Sequence, residues 1–355
     1  MKAIAFSKYG TTKDLAYKEV QKPTPKEGEV LVRIKAASVN DWDWGLLRGQ
    51  PFVNRMIFGL LKPKVKTLGL DIAGTVESIG EKVSGFKAGD NVFGDISNKG
   101  WGGFAEYVSV SADALVAMPE KMSFKEAAAI PQAGVLALQG FIDKWKVQPG
   151  QHVLINGGGG GCGTFAIQIA KNLGAQVTAV DKGSKFDIMQ SMGADHLIDY
   201  TQEDFTQNEN TYDYILDFAG HHPLLDYKKA LRKNGQYLLV GGASGLIIKC
   251  MLAAPFISMF SGKKLQILPH EPNKHMQKLI SLYEEGTLKP VLDKSFSLQD
   301  VPKALEYFGQ GICKGKIIVS IGKMLLPAQI LLYYQSLRCG VFIPFNFYKV
   351  EAFLK

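Results

Sequence analysis

The sequence predicts an α/β protein of two domains: a partly closed β-barrel followed by a doubly wound parallel sheet, with an apolar tail. Three observations carry that prediction. Dense glycine and proline punctuation cuts residues 1–122 into short strand-like pieces. Six short apolar runs follow between residues 150 and 268, several separated by helical stretches, which is the texture of βαβ units. A glycine-rich loop joins the first of those runs to the helix after it.

Composition sets the bounds. In 355 residues, 46% are hydrophobic and 21% charged, an ordinary balance that can supply a substantial core. Glycine is frequent, at 38 residues, against roughly 7% in average usage. The formal net charge is +8, with no block of five or six like charges, so it reads as scattered solvated surface and argues against a nucleic-acid partner. Cys162, Cys250, Cys313 and Cys339 form no CxxC pair and have no His at metal-finger spacing. That predicts reduced thiols and a cytoplasmic setting. The start, MKAIAFSKYG, has no apolar core of a signal peptide. No run reaches ~18 uninterrupted apolar residues, so no transmembrane segment is expected.

The elements follow in order. From Glu29 to Ala36, Val30, Val32 and Ile34 alternate with Leu31, Arg33 and Lys35, the period of a half-buried strand. Turns are expected at Pro23-Thr24-Pro25, Glu27-Gly28, Gly89-Asp90 and Gly102-Gly103. Near residue 123 the texture changes: Ser123 and Glu126 are spaced as a capping box before an alanine run. The apolar runs are His152–Ile155, Gln176–Val180, His196–Ile198, Asp213–Asp217, Gln236–Val240 and Lys264–Leu268. Beyond Lys289-Pro290, one amphipathic helix is expected over Ser297–Phe308 and a last strand over Lys316–Ile321. The expected domains are 1–122 completed by 290–321, and 123–289. Residues 322–355 are strongly apolar but interrupted by Pro327, Gln329 and Gln335. They read as an appended tail, with a membrane-surface or dimerisation element as the alternative.

The strongest motif runs from Val153 to Thr164. It satisfies GxGxxG with Gly158, Gly160 and Gly163, and carries Gly161, Cys162 and Thr164 into the helix. The first Gly makes the tight turn, the second lets backbone amides reach a pyrophosphate, and the third lets helix and strand approach. The helix N-terminus presents free amides and a positive dipole end to the anion. This is a dinucleotide site of the Rossmann type. Asp181 ends the second run, where an acid accepts hydrogen bonds from adenosine ribose hydroxyls and favours NADH. Lys182 and Lys185 follow it, and either suits the 2′-phosphate of NADPH. The two signals conflict. Lys185 also reads as part of a solvated turn.

With these stretches in view, the chain resembles the medium-chain dehydrogenase/reductase superfamily, on its zinc-independent quinone oxidoreductase and enone reductase branch. The resemblance rests on Ala36–Asp43, Gly69–Gly74, Gly89–Gly94, Gly102–Val108, the glycine loop and Gly193–Tyr200, and runs from Met1 to about Ile321. It implies a GroES-like barrel joined to a Rossmann domain, the nicotinamide in the cleft between them, and a homodimer. Zinc relatives carry Cys where this chain has Asn40 and His where it has Leu70. A catalytic zinc needs about three ligands, so no metal is expected. The implied reaction is hydride transfer from NADPH, with NADH as the other donor, to a small apolar electrophile: a quinone or an activated alkene. Such acceptors need orientation and oxyanion stabilisation rather than an acid/base pair.

The resemblance places Asn40 against nicotinamide and substrate, where it donates to a carbonyl or ties down its own loop. It places Tyr200 beside the adenosine phosphate. Phe218, Ala219 and Gly220 pass the nicotinamide ribose, Gly241 and Gly242 lie at the carboxyl edge of the sheet, and Lys316 reaches the cofactor or the surface. Leu136 stands where relatives often have Thr, and Cys162 where Val is usual, as a small apolar substitute that also lies near a helix N-terminus able to activate a thiolate. His221-His222 reads as an exposed turn before Pro223, and Leu246–Phe260 as the substrate entrance or a dimer contact. The competing reading is a catalytically silent NADPH-binding protein that uses a basic surface for RNA or membrane.

Overall fold

A computed structural model describes residues 1–322. Residues 323–355, with most of the apolar tail and Cys339, lie outside the described residues. The first lobe contains β1 (Lys2–Ala5), β2 (Ala16–Glu19), β3 (Glu29–Ser38), α1 (Asp41–Arg48), α2 (Val53–Phe58), β4 (Asp71–Ile79), β5 (Asn91–Asp95), β6 (Tyr107–Ser111) and β7 (Val116–Ala117). Strand β3 is its spine, pairing antiparallel with both β4 and β6. The expected alternation is incomplete, because Leu31 is buried with Val30 and Val32. Both faces of the strand are covered there, and only Arg33 is exposed along it.

The second lobe begins with α3 (Phe124–Ala129), α4 (Pro131–Ile142), β8 (His152–Asn156), α5 (Gly161–Asn172), β9 (Gln176–Asp181), α6 (Phe186–Ser191) and β10 (His196–Asp199). It continues with β11 (Tyr212–Asp217), α7 (Leu224–Ala230), β12 (Leu231–Leu239), α8 (Ser244–Ser261), β13 (Lys264–Ile267) and α9 (Met276–Glu284). The capping box forms as expected: Glu126 N donates to Ser123 Oγ, and Ser123 N to Glu126 Oε2. The six strands pair in parallel in the order β10-β9-β8-β11-β12-β13. The order reverses between β8 and β11, and ligands of such sheets bind at that switch point. All six apolar runs are strands. β12 starts five residues earlier than expected, because Arg232-Lys233-Asn234 carry no apolar period and Asn234 takes a positive φ.

The chain then returns to the barrel through β14 (Leu292–Ser297), α10 (Val301–Gly309) and β15 (Lys316–Ser320). β15 pairs antiparallel with β3. α10 starts later than the expected Ser297, after a tight turn at Leu298–Asp300, with Pro302 in its first turn. Ala127–Ala129 of α3 share one core with Ala36, Ala73 and Phe93 of the barrel and with Ile155 and Phe165 of the sheet lobe. The two lobes are therefore joined by packing and form one compact unit, Met1–Ile321.

Helix α8 departs from expectation. Its 18 residues are long and apolar enough to cross a membrane by length and composition. No such run was expected because Lys249, Pro255 and Ser258 interrupt it. It belongs to the folded body, since Leu246, Cys250 and Ala254 pack into the core with Tyr237 and Leu239.

Candidate active site

A cleft of about 710 Å³ lies between the lobes at the switch point. Its floor is the glycine loop. Gly157 takes φ +84°, and the amides of Gly157 and Gly158 donate to Val180 O at 2.9 and 3.0 Å. The loop therefore wraps the end of β9. A Cβ on Gly163 would stand 2.1 Å from Gly157 O, so the helix meets the loop backbone there. A Cβ on Gly158 would press on Ala179 and Met189. Gly160 is different: its φ and ψ suit any residue, and the nearest protein atom to a Cβ is Gly157 O at 3.5 Å. The protein leaves room at Gly160, and that room faces the cleft. This cradle fits a dinucleotide pyrophosphate, with Gly161, Cys162 and Gly163 opening a helix whose N-cap has no side chain to take its amides.

Of the loop residues expected to contact cofactor, Gly160, Gly161, Cys162 and Gly163 line the cleft; Gly158 and Thr164 do not. Thr164 is buried, and its hydroxyl donates to Gly161 O. Burial pushes the Cys162 thiol up to about 12. That shift favours the reading of Cys162 as a small apolar residue over an activated thiolate.

Asp181, Lys185, Tyr200, Phe218 and Ala219 line the cleft, as do Gly241 and Gly242. Lys182 and Gly220 do not. Lys185 is not part of a solvated turn. It is 5% exposed, and its ammonium pairs with Asp181 at 3.1 Å. Asp181 also accepts from Gly159 N at 3.0 Å and Lys182 N at 2.8 Å. Gly242 (φ +147°) crosses Gly220 so closely that a Cβ would stand 2.3 Å from Gly220 O. That contact joins the ends of β11 and β12.

At the barrel side, Asn40 is 4% exposed and its amide is fully engaged. Asn40 Nδ2 donates to Asp71 Oδ2 at 3.0 Å and to Ser38 O at 3.3 Å, while Oδ1 accepts from Lys316 Nζ. Of the two expected roles of Asn40, the bonds are those of an amide that ties down its own loop. Lys316, 3% exposed, reaches neither solvent nor surface. Its stem lies against Gly161 and its ammonium is 3.5 Å from Asp71. Burial pushes the Asp71 carboxyl up, and Lys316 opposes it. Zinc does not fit: Leu70 is core, and the Lys316 ammonium already supplies the positive charge between Asn40 and Asp71.

Sequence reasoning gave no role to two residues at or behind the cleft, Asp71 and Gln132, and set a third, His221, apart from it. Asp71 anchors Asn40. Gln132, in the first turn of α4, lines the cleft with Nε2 buried and without a partner. Its backbone N donates to Asp71 Oδ1. His221 lies at the cleft wall while staying exposed, so the reading of an exposed turn holds without placing it apart from the site. The Leu246–Phe260 segment contributes no lining residue.

Comparison with known proteins agrees with this architecture. The family described as alcohol dehydrogenase GroES-like domain matches residues 26–120, and that described as zinc-binding dehydrogenase matches residues 192–319. A chloroplastic quinone-oxidoreductase of Triphysaria versicolor is 32% identical over 90% of this chain and 98% of its own length. A 2-methylene-furan-3-one reductase of Solanum lycopersicum is 31% identical over 90% of this chain and 79% of its own. A quinone oxidoreductase structure from Coxiella burnetii superposes with a TM-score of 0.81 at 28% identity, covering 91% of this chain and 99% of that one. By these matches the chain is an NAD(P)-binding oxidoreductase of the medium-chain dehydrogenase/reductase superfamily, on its zinc-independent quinone oxidoreductase and enone reductase branch.

Proposed function

We propose that this protein uses NADPH to reduce a small apolar quinone or α,β-unsaturated carbonyl, without zinc. The observation that carries the reading is the cleft itself. It runs from the amides of Gly161–Gly163 to an apolar end at Ala133, Leu136 and Val240, where Gln132 Nε2 is a free buried donor.

In this reading, the bound nucleotide supplies the hydride. Gly161–Gly163 hold its pyrophosphate, Tyr200 and the Asp181–Lys185 pair hold the adenosine end, and Phe218, Ala219, Gly241 and Gly242 shape the nicotinamide end. With its side chain turned toward the cleft, Gln132 Nε2 donates to the acceptor carbonyl and stabilises the oxyanion that develops as hydride arrives. Asn40, Asp71 and Lys316 are positioning residues. Their mutual bonds fix the cleft wall, so no reorganisation is needed during the reaction. Solvent at the open mouth supplies the proton. The edge of β13, unpaired among the described residues, supports a homodimer by sheet extension. The unbridged thiols of Cys162, Cys250 and Cys313 support a reducing compartment such as the cytoplasm.

The test is oxidation of NADPH and NADH in parallel against a panel of quinones and enones, with chelator present. Chelator-resistant turnover that is faster with NADPH is expected. Tight NADPH binding with no turnover on any acceptor overturns the reductase reading in favour of a silent binding protein.

A further inference from the structure

The net charge of +8 is not scattered. Between Trp44 and Leu70 stand Arg48, Arg55, Lys62, Lys64 and Lys66, with no Asp or Glu. Between Ala243 and His270 stand Lys249, Lys263 and Lys264, again with no acid. Of 41 Lys and Arg, removing these eight leaves 33, matched by 33 Asp and Glu. The two segments thus carry eight cations against no acid, and a third acid-free stretch, residues 307–350, carries five more. Among the described residues, none of the eight cations is in an ion pair. Lys263 is tied back to the carbonyls of Lys228 and Leu231.

The same two segments hold 12 of the 19 exposed large hydrophobic residues among those described. In and after α2, Phe52, Met56 and Leu61 are 62%, 69% and 89% exposed. On α8, Ile248, Met251, Leu252, Phe256, Met259 and Phe260 recur at three- and four-residue spacing. They form one face opposite the buried Leu246, Cys250 and Ala254. A surface helix of a soluble protein turns a polar face outward. α8 turns outward a second apolar face. The segments adjoin, since Gly49–Phe52, Arg55 and Ser244 bound one small cavity. The first segment borders the main cleft through Arg48, and the second begins just after Gly241 and Gly242, which line it.

We propose that the α2 segment and the outer face of α8 dock on an anionic lipid bilayer. The apolar side chains enter the acyl boundary and the cations meet phosphate headgroups. The charge pattern selects this occupant. A second copy meeting the same patch across a two-fold axis would set cations against cations with no acid to pair them. The arrangement brings the cleft mouth toward the membrane, where an apolar acceptor concentrates. Docking does not depend on the redox reading.

The test is flotation of the full chain with vesicles of equimolar phosphatidylcholine and phosphatidylglycerol, beside pure phosphatidylcholine, at low and high salt. Flotation with the anionic vesicles is expected, weakened by salt. A doubly substituted chain, Phe256→Asp with Phe260→Asp, changes only exposed side chains and keeps the fold. Its vesicle partition is expected to fall about tenfold or more. No flotation overturns the proposal. So does undiminished flotation of the variant, which places the contact elsewhere. Light scattering that shows a dimer dissolved by the same variant also overturns it, because a second copy then covers α8.

Discussion

The Lys185 ammonium lies 3.1 Å from an Asp181 carboxylate oxygen in the cleft wall, with both side chains buried. The acid that argues for NADH and the lysine that argues for NADPH are thus partners in one ion pair. The acid is already committed to the amides of Gly159 and Lys182, so it supports the loop. The lysine cancels the charge that would repel a 2′-phosphate. Lys185→Ala is expected to weaken NADPH roughly tenfold to hundredfold while changing NADH little. Fluorescence titration of the two nucleotides checks it. Equal losses would leave Lys185 with loop support alone.

The glycines of the loop separate in the same way. Gly160→Val is expected to fold normally and to lose NADPH binding, because the space it fills belongs to the cleft and not to the protein. Gly163→Ala is expected to cost about 2 kcal/mol of stability or more, since its Cβ meets loop backbone that cannot yield. Thermal melts and nucleotide titrations on both variants give the contrast. Normal NADPH affinity in folded Gly160→Val would remove the loop from the site.

The loop was legible because everything it needs is contiguous: strand, glycines and helix follow one another from Val153 to Leu173. The rest of the site was less legible, for geometric reasons. Asn40 is matched to Lys316 across 276 residues, and neither position alone reveals that each is satisfied by the other. Lys182 and Lys185 look alike in sequence. The tight turn at Gly183–Lys185 decides which one enters the cleft. Gln132 lines the cleft only because α4 packs across the seam between the lobes. The apolarity of α8 was plain, but that one of its faces is core and the opposite face is bare requires the packed structure.

Gln132 carries a direct prediction. Its Nε2 is a buried donor without a partner, an arrangement that costs stability unless a ligand uses it. Gln132→Leu keeps the side chain's approximate volume and removes the donor. It is expected to lower kcat roughly tenfold to hundredfold with NADPH affinity unchanged. Stability should hold or rise slightly, since an unsatisfied polar group is removed. If NADPH affinity falls instead while kcat holds, the amide serves the nicotinamide and not the acceptor.

The buried pair behind the cleft predicts how stability depends on pH. Asp95 and His270 approach to 3.6 Å without a hydrogen bond, and both His270 ring nitrogens lack partners. Burial, with Asp71 nearby, pushes the Asp95 carboxyl up to about 7, and burial pushes His270 down to about 4. Asp95 in the folded chain therefore holds its proton where the unfolded chain, with a carboxyl near 3.9, has lost it. Its contribution to stability is present below about pH 4 and declines as pH rises through the folded value near 7. His270 acts oppositely. The unfolded imidazole, near 6.5, takes up a proton that the folded one refuses, so its term improves stability from about pH 4 to 6.5. Asp95→Asn isolates the first effect, because Asn keeps an oxygen for the Ser97 amide and cannot ionise. The variant is expected to gain about 1–2 kcal/mol over the parent near pH 8 and little near pH 4. That gain appears as a Tm difference of about 2–4 °C that opens as pH rises. A difference that stays constant across the range would mean Asp95 does not titrate between those limits, and that its carboxylate is held by His270 instead.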